Sequence, residues 1–174
     1  MRLFLILTFF LGIQNSIFSQ QIDTNKSKMQ FEISNMGGLK TVEGNFSEIS
    51  GEIITEIGTL VKIDFCLNAS SINTENKKRD KHLKNQDFFE VEKYPNICFT
   101  STSIIKQENS YLVKGNLTIK NITKQIEILV SFDGKTLENT DDFILKRYDF
   151  GVGSKGGFMV GKEVKFTNIE IHLN

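Results

Sequence analysis

The sequence predicts an all-β protein, an eight-stranded antiparallel β-barrel with one helical insertion. Three observations carry that expectation. Apolar and polar residues alternate with a period of two over most of the chain; turn-forming pairs such as Gly37-Gly38 and Asp133-Gly134 separate the alternating runs; and one segment, Ser70 to Pro95, abandons the rhythm for a polar, helix-like composition. Eight strands can close a barrel around a small apolar ligand, and closure removes unpaired sheet edges. A two-sheet sandwich would use the same alternating faces to make a packed core, so periodicity alone does not separate a filled interior from a cavity.

The chain opens with Met1 and Arg2, runs through LFLILTFFLGI, and reaches a small, polar stretch at Ser16 to Gln21. This is the pattern of a secretory signal peptide. Residues 1–20 are expected to be a leader and residues 21–174 a single ligand-binding barrel domain. The apolar run falls short of the roughly 20 residues that cross a bilayer as a helix, and no equally apolar segment follows. The expected product is exported, periplasmic and soluble, with no stable membrane span. Roughly 155 residues remain after the leader, enough for one substantial core and too few for two ordinary domains. Lysine plus arginine and aspartate plus glutamate each number 21, so nothing steers the chain toward nucleic acid, and the folded domain is expected to lack a basic block suited to an anionic membrane.

In the first hairpin, Met29, Phe31 and Ile33 oppose Gln30, Glu32 and Ser34, and Val42, Gly44 and Phe46 resume the rhythm after the Gly37-Gly38 turn. Ile49, Gly51 and Ile53 predict a short strand or a strongly bent continuation, with a break at Gly58. From Leu60 to Ala69 the apolar stripe is Val61, Ile63, Phe65, Leu67 and Ala69. Beyond the insertion, Ile97 and Phe99 begin a strand that turns near Gln107 to Ser110 into Tyr111, Val113, Gly115, Leu117 and Ile119. Ile126, Ile128, Val130 and Phe132 follow, ending at Asp133-Gly134. Phe143, Leu145 and Arg147 mark a further strand before a glycine-rich stretch at Gly151, Gly153, Gly156 and Gly157. In the last strand the stripe moves from Val164 and Phe166 to Ile169, Ile171 and Leu173, one register over, which predicts a bulge or a strand packed on both faces.

Cys66 and Cys98, the only cysteines, fall on predicted strands and face away from the apolar stripes. Export permits a disulfide between them on the outer wall if strand register brings them together; separate thiols are the other reading. In the insertion, Thr74 is placed to cap a short helix, with Glu75 complementing its first turn. So polar a helix is marginal alone and depends on contacts with the barrel. Leu83, Phe88, Phe89 and Tyr94 are the expected anchors at one barrel mouth, with Asp87 opening a second capped turn.

Strand alternation selects Phe31, Ile33, Phe65, Leu67, Phe99, Ile128, Val130 and Phe143 as a cavity-lining set. Arg79 and Arg147 are the candidates for a charge-assisted contact to a phosphate or carboxylate head group whose apolar tail enters the barrel. Eleven of the fifteen phenylalanines lie beyond the leader, a number that suits either a ring-lined pocket or a bulky core.

Several runs together resemble the YceI family of lipid- or polyisoprenoid-binding proteins. They are Val42-Glu43-Gly44-Asn45-Phe46, Ser71-Ile72-Asn73-Thr74 with Arg79-Asp80-Lys81-His82-Leu83, Asp87-Phe88-Phe89, Tyr94-Pro95, Gly115-Asn116-Leu117-Thr118-Ile119-Lys120-Asn121-Ile122-Thr123-Lys124, and Arg147-Tyr148-Asp149-Phe150-Gly151-Val152. The resemblance implies a lipocalin-like barrel, exported to the periplasm, that holds an isoprenoid or other amphiphile along its interior.

The expected function is therefore non-enzymatic binding of an amphiphilic lipid or polyisoprenoid. The partner is an apolar or amphiphilic small molecule, no cofactor other than such a bound lipid or isoprenoid is expected, no metal site is predicted, and a homodimer is left open. Two alternatives stand beside it. One is a structural or interaction protein with a solid core. The other is a small-molecule hydrolase using Asp80 and His82, for which sequence proximity supplies no proton-transfer geometry. The cysteines lack CxxC spacing, and Gly153, Gly156 and Gly157 lack the strand-to-helix context of a phosphate loop.

Overall fold

Alternation of apolar and polar side chains produces strands at Ile17–Gln21 (β1), Lys28–Asn35 (β2), Lys40–Phe46 (β3), Ile49–Glu56 (β4), Thr59–Asn68 (β5), Asn96–Lys106 (β6), Tyr111–Ile119 (β7), Ile122–Phe132 (β8), Thr136–Asn139 (β9), Phe143–Lys146 (β10) and Glu163–His172 (β11), with one α-helix at Lys77–Lys84 (α1). The computed structural model describes residues 16–154 and 160–174. Of the expected leader, residues 1–15 lie outside the described residues; Ile17–Gln21 pair as β1 with Glu52–Glu56 of β4. Gly156 and Gly157 of the glycine-rich stretch also lie outside them.

Every named pairing is antiparallel, and the strands run in the order β1-β4-β5-β6-β7-β8-β9-β11-β2-β3, with β10 beside β11. The sheet curls back on itself. Ile22 bridges Leu173, and the amides of Asp23 and Asn174 donate to the carbonyls of His172 and Gln21, at 2.8 and 3.0 Å. Eleven strands replace the expected eight. The additions are β1, almost wholly within the sequence read as leader, β4, which the sequence left open as a short strand or a bent continuation, and β9, whose four residues are too few to establish a period.

The predicted stripes point inward with one exception. Ile49, Ile53, Ile63, Val113 and Ile171 are fully buried. Val61, expected on the inner stripe, is 44% exposed, because the β4–β5 register slips between Ile54 and Thr55 and leaves Val61 as the extra residue, while Leu60 turns inward instead. The bulge expected in the last strand lies between Phe166 and Asn168, where the β11–β2 pairing shifts, and it brings Ile169 and Ile171 into the core.

The β5–β6 register sets Cys66 opposite Cys98 with Cα atoms 4.1 Å apart, and the sulfurs are bonded. Two glycines make room for facing aromatic rings: a side chain at Gly44 would collide with Phe31, and one at Gly115 with Phe99. Close approach of a ring to backbone demands glycine at both positions.

Candidate functional site

The inward faces of the strands do not meet. They enclose a cavity of about 700 Å³, within the range of small-molecule pockets. All ten residues selected from the sequence lie on its wall: Phe31, Ile33, Phe65, Leu67, Phe99, Ile128, Val130 and Phe143 among the apolar side chains, and Arg79 and Arg147 among the charged ones. Val113, Val130 and Ile171 are fully buried and make its deepest lining.

A row of phenylalanines follows the wall across four strands. Phe143 packs on Phe166 at 6.0 Å between centroids, Phe166 on Phe31 at 6.2 Å, and Phe31 on Phe46 at 5.6 Å; Phe46 meets the edge of Phe89 from the insertion at 6.0 Å. Phe65 and Phe99 form a second pair at 5.5 Å. Such tilted and edge-on contacts hold the rings apart at the separations aromatic pairs favour. Sequence alternation found the strand members. It missed Val152 and Val160, which line the wall from outside any strand.

The mouth is identified by lining residues that are also solvent-exposed: Asn76, Lys78 and His82, all from the insertion. α1 starts at Asn76, whose side-chain oxygen accepts from the Arg79 amide at 3.0 Å, so the expected cap at Thr74 is displaced by two residues. Thr74 is buried and does other work. Its hydroxyl and amide donate to Asp80 Oδ1, and the Arg79 guanidinium donates through Nε to Thr74 Oγ1 at 2.7 Å and through Nη2 to the Thr74 carbonyl at 2.6 Å. Arg79 is thereby held on the cavity wall, with three N–H groups not engaged by the described residues.

Asp87 likewise caps nothing; its carboxylate meets His82 Nε2 at 3.2 Å, and the chain makes turns held by the Phe88 and Phe89 amides on the Asn85 and Leu83 carbonyls. Leu83, Phe88 and Phe89 pack on the core as expected. Tyr94 does not join them. Its ring lies under the ammonium groups of Lys93 and Lys120, at 5.1 and 5.9 Å.

Arg147 is 6% exposed and begins a 3-10 turn instead of ending a strand. It donates through Nε to the Gly161 carbonyl at 2.6 Å, through Nη1 to Val152 at 2.7 Å, and through Nη2 to the Tyr148 hydroxyl at 2.7 Å and the Val160 carbonyl at 3.3 Å. The Tyr148 ring stacks 4.0 Å from the guanidinium carbon. Burial holds the group below its ordinary value, against the opposing pull of Tyr148. No ion pair to Arg147 is present among the described residues, so a buried positive charge borders an apolar cavity.

The hydrolase geometry does not assemble: Asp80 is turned to Thr74, while His82 faces Asp87. Among the described residues no cluster of three metal-ligating side chains occurs, and no helix is long and apolar enough to cross a membrane.

Comparison with known proteins agrees with this construction. A UPF0312 protein of Staphylococcus aureus is 32% identical over 161 residues, covering 83% of this chain and 91% of its own. One from Pectobacterium atrosepticum is 30% identical over 116 residues, and there the match spans only 58% of the relative's length. Among solved structures, BcnA of Burkholderia cenocepacia superposes with a TM-score of 0.74 at 24% identity, over 87% of this chain and 98% of that one. A polyisoprenoid binding domain from Saccharophagus degradans superposes at 0.71 with 14% identity, over 92% and 99%; both likenesses establish the fold. The family model described as YceI-like domain matches residues 20–173, and the chain belongs to that family.

Proposed function

We propose that the protein binds one amphiphilic molecule, with an isoprenoid or other lipid tail inside the barrel and its head group toward the mouth. The observation that carries this reading is the cavity of about 700 Å³ with an almost wholly hydrocarbon wall and basic groups at Arg79 and Arg147. Each fully buried methylene of a tail contributes about 0.8 kcal/mol, part of which the ordering of the tail opposes, so tail length governs affinity. The polyisoprenoid binding described for the Saccharophagus degradans domain supports this ligand class.

Arg79 is the better placed of the two arginines for a direct head-group bond, since among the described residues it makes two side-chain hydrogen bonds and Arg147 makes four. Arg147 contributes buried positive charge, which favours an anionic or electron-rich head. The reading is of a carrier and not a catalyst, exported to the periplasm with its leader removed in the process. The Cys66–Cys98 bond is consistent with an oxidising compartment.

Native mass spectrometry of gently purified protein, followed by extraction and identification of any retained molecule, tests the reading. Unchanged lipid should be retained. Phe65→Ala and Phe99→Ala should each weaken retention more than Lys124→Ala on the exposed face. No retention across several chain lengths would overturn the carrier function, and turnover of the bound molecule would return the protein to the enzymes.

A further inference from the structure

We propose that the rim of the cavity mouth is a docking face for an anionic phospholipid bilayer. Two features from distant parts of the sequence meet there. The first is an apolar tip. Between β2 and β3, Met36, Gly37 and Gly38 all take positive φ, and this tight turn projects Leu39 outward with 84% of its surface exposed. Met36 is exposed beside it, and Asn35 at the base of the tip lines the mouth. A protruding leucine on a water-soluble surface is stabilised when it enters the acyl region of a bilayer.

The second is α1, which carries Lys77, Lys78, Arg79, Lys81 and Lys84 against one carboxylate, Asp80, and that carboxylate is turned onto Thr74. Of the flanking acids, Asp87 is engaged by His82 and Glu75 remains exposed. The two features border the same cavity, since Asn35 at the base of the tip and Asn76, Lys78 and Arg79 of the insertion all line it, and Asn45 and Asn73 exchange backbone hydrogen bonds at 2.9 and 3.0 Å in an antiparallel bridge. The chain leaving Asn73 therefore runs back along β3 toward the hairpin tip, with Thr74 against Gly44. Lys40 adds a cation next to Leu39. Read linearly, this basic run is short and the chain is neutral overall; folding sets it on the cavity that the base of the apolar tip also lines.

Cations beside the mouth and an exposed leucine on the same rim match a surface with anionic head groups above hydrocarbon. The placement deepens the carrier reading, on which it rests for what passes through the mouth: an apolar tail would move between membrane and barrel without crossing open water.

The test uses vesicles that hold no cargo, so that it is independent of ligand retention. The chain contains no tryptophan, and Leu39→Trp places a single reporter on the exposed tip; Val61→Trp, on β5 at the end away from α1, is the control. With vesicles of equal parts phosphatidylcholine and phosphatidylglycerol, the Leu39→Trp emission should shift to the blue and be quenched by brominated acyl chains, while Val61→Trp stays unchanged. Lys77→Ala with Lys81→Ala, neither of which lines the cavity, should weaken co-sedimentation roughly thirtyfold, about fivefold for each cation lost near the surface. Equal binding to pure phosphatidylcholine, an equal shift at position 61, unchanged affinity of the lysine double variant, or no vesicle binding would each overturn the proposal. Retained lipid in the native mass spectrum alongside no vesicle binding would remove the docking face and leave the carrier function standing.

Discussion

The Phe99 ring occupies the space that a side chain on Gly115 would need, one strand across. The main chain of Thr100 closes the same space, so the neighbour cannot simply swing away. Gly115→Ala should therefore destabilise the fold by about 1–3 kcal/mol, the usual cost of overpacking, and displace Phe99 from its contact with Phe65. Urea denaturation reads the first effect. An unchanged midpoint would show that the β6–β7 pair yields more easily than its geometry implies.

Reduction of the Cys66–Cys98 bond, or its removal by Cys66→Ala with Cys98→Ala, should cost about 3–4 kcal/mol from the chain entropy of a closed loop spanning 32 residues. Calorimetry with and without reductant checks the value, and intact mass under both conditions checks the bond. The strands it joins carry Phe65 and Phe99, so ligand retention should weaken along with stability.

Arg147→Met should cost more than about 2 kcal/mol, because it strips the carbonyls of Val152, Val160 and Gly161 of their common donor. Arg147→Lys should recover only part of that loss, since one ammonium cannot reproduce the planar fork. Stability of both variants by denaturant titration settles the ranking; a fully stable Arg147→Met protein would show that the loop is held by other contacts.

Acid should weaken the fold through carboxylates whose titration is depressed in the native state. Glu170 is held low by Lys28 Nζ, 3.0 Å away, and by His172, against the opposing effect of burial. Asp23 is held low mainly by Lys26, and Asp133 by the amides of Lys135 and Thr136. Groups with depressed folded values stabilise fully above the unfolded carboxylate value of about 4 and lose that contribution as pH falls through the lower folded value. Thermal midpoints should thus decline below about pH 4, and Glu170→Gln should flatten that decline.

Alternation made the barrel wall readable because it is a local signal: Phe31 lies between two polar residues and Phe65 and Phe99 each between a cysteine and a polar residue, and all three face the cavity. The β11 bulge was readable for the same reason, since the stripe visibly changes register after Phe166. Val61 was not, because its outward turn comes from a slip against β4 that β5 alone does not encode. Arg147 escaped as well. It continues the Phe143 and Leu145 alternation, yet its environment is set by carbonyls of Val160 and Gly161 on the far side of a glycine-rich loop. At the insertion, neighbouring polar residues competed for one role: Asn76 took the helix start once Thr74 was claimed by Asp80.

The bridge from Ile22 to Leu173 joins opposite ends of the sequence. A wall fastened by segments so far apart in sequence stays ajar until both have been made, so the apolar lining waits exposed while the strands between them are synthesised. Folding dominated by such distant pairings is slow. Closure of the wall is therefore a late step, and until it happens the apolar lining is open to contact with other chains.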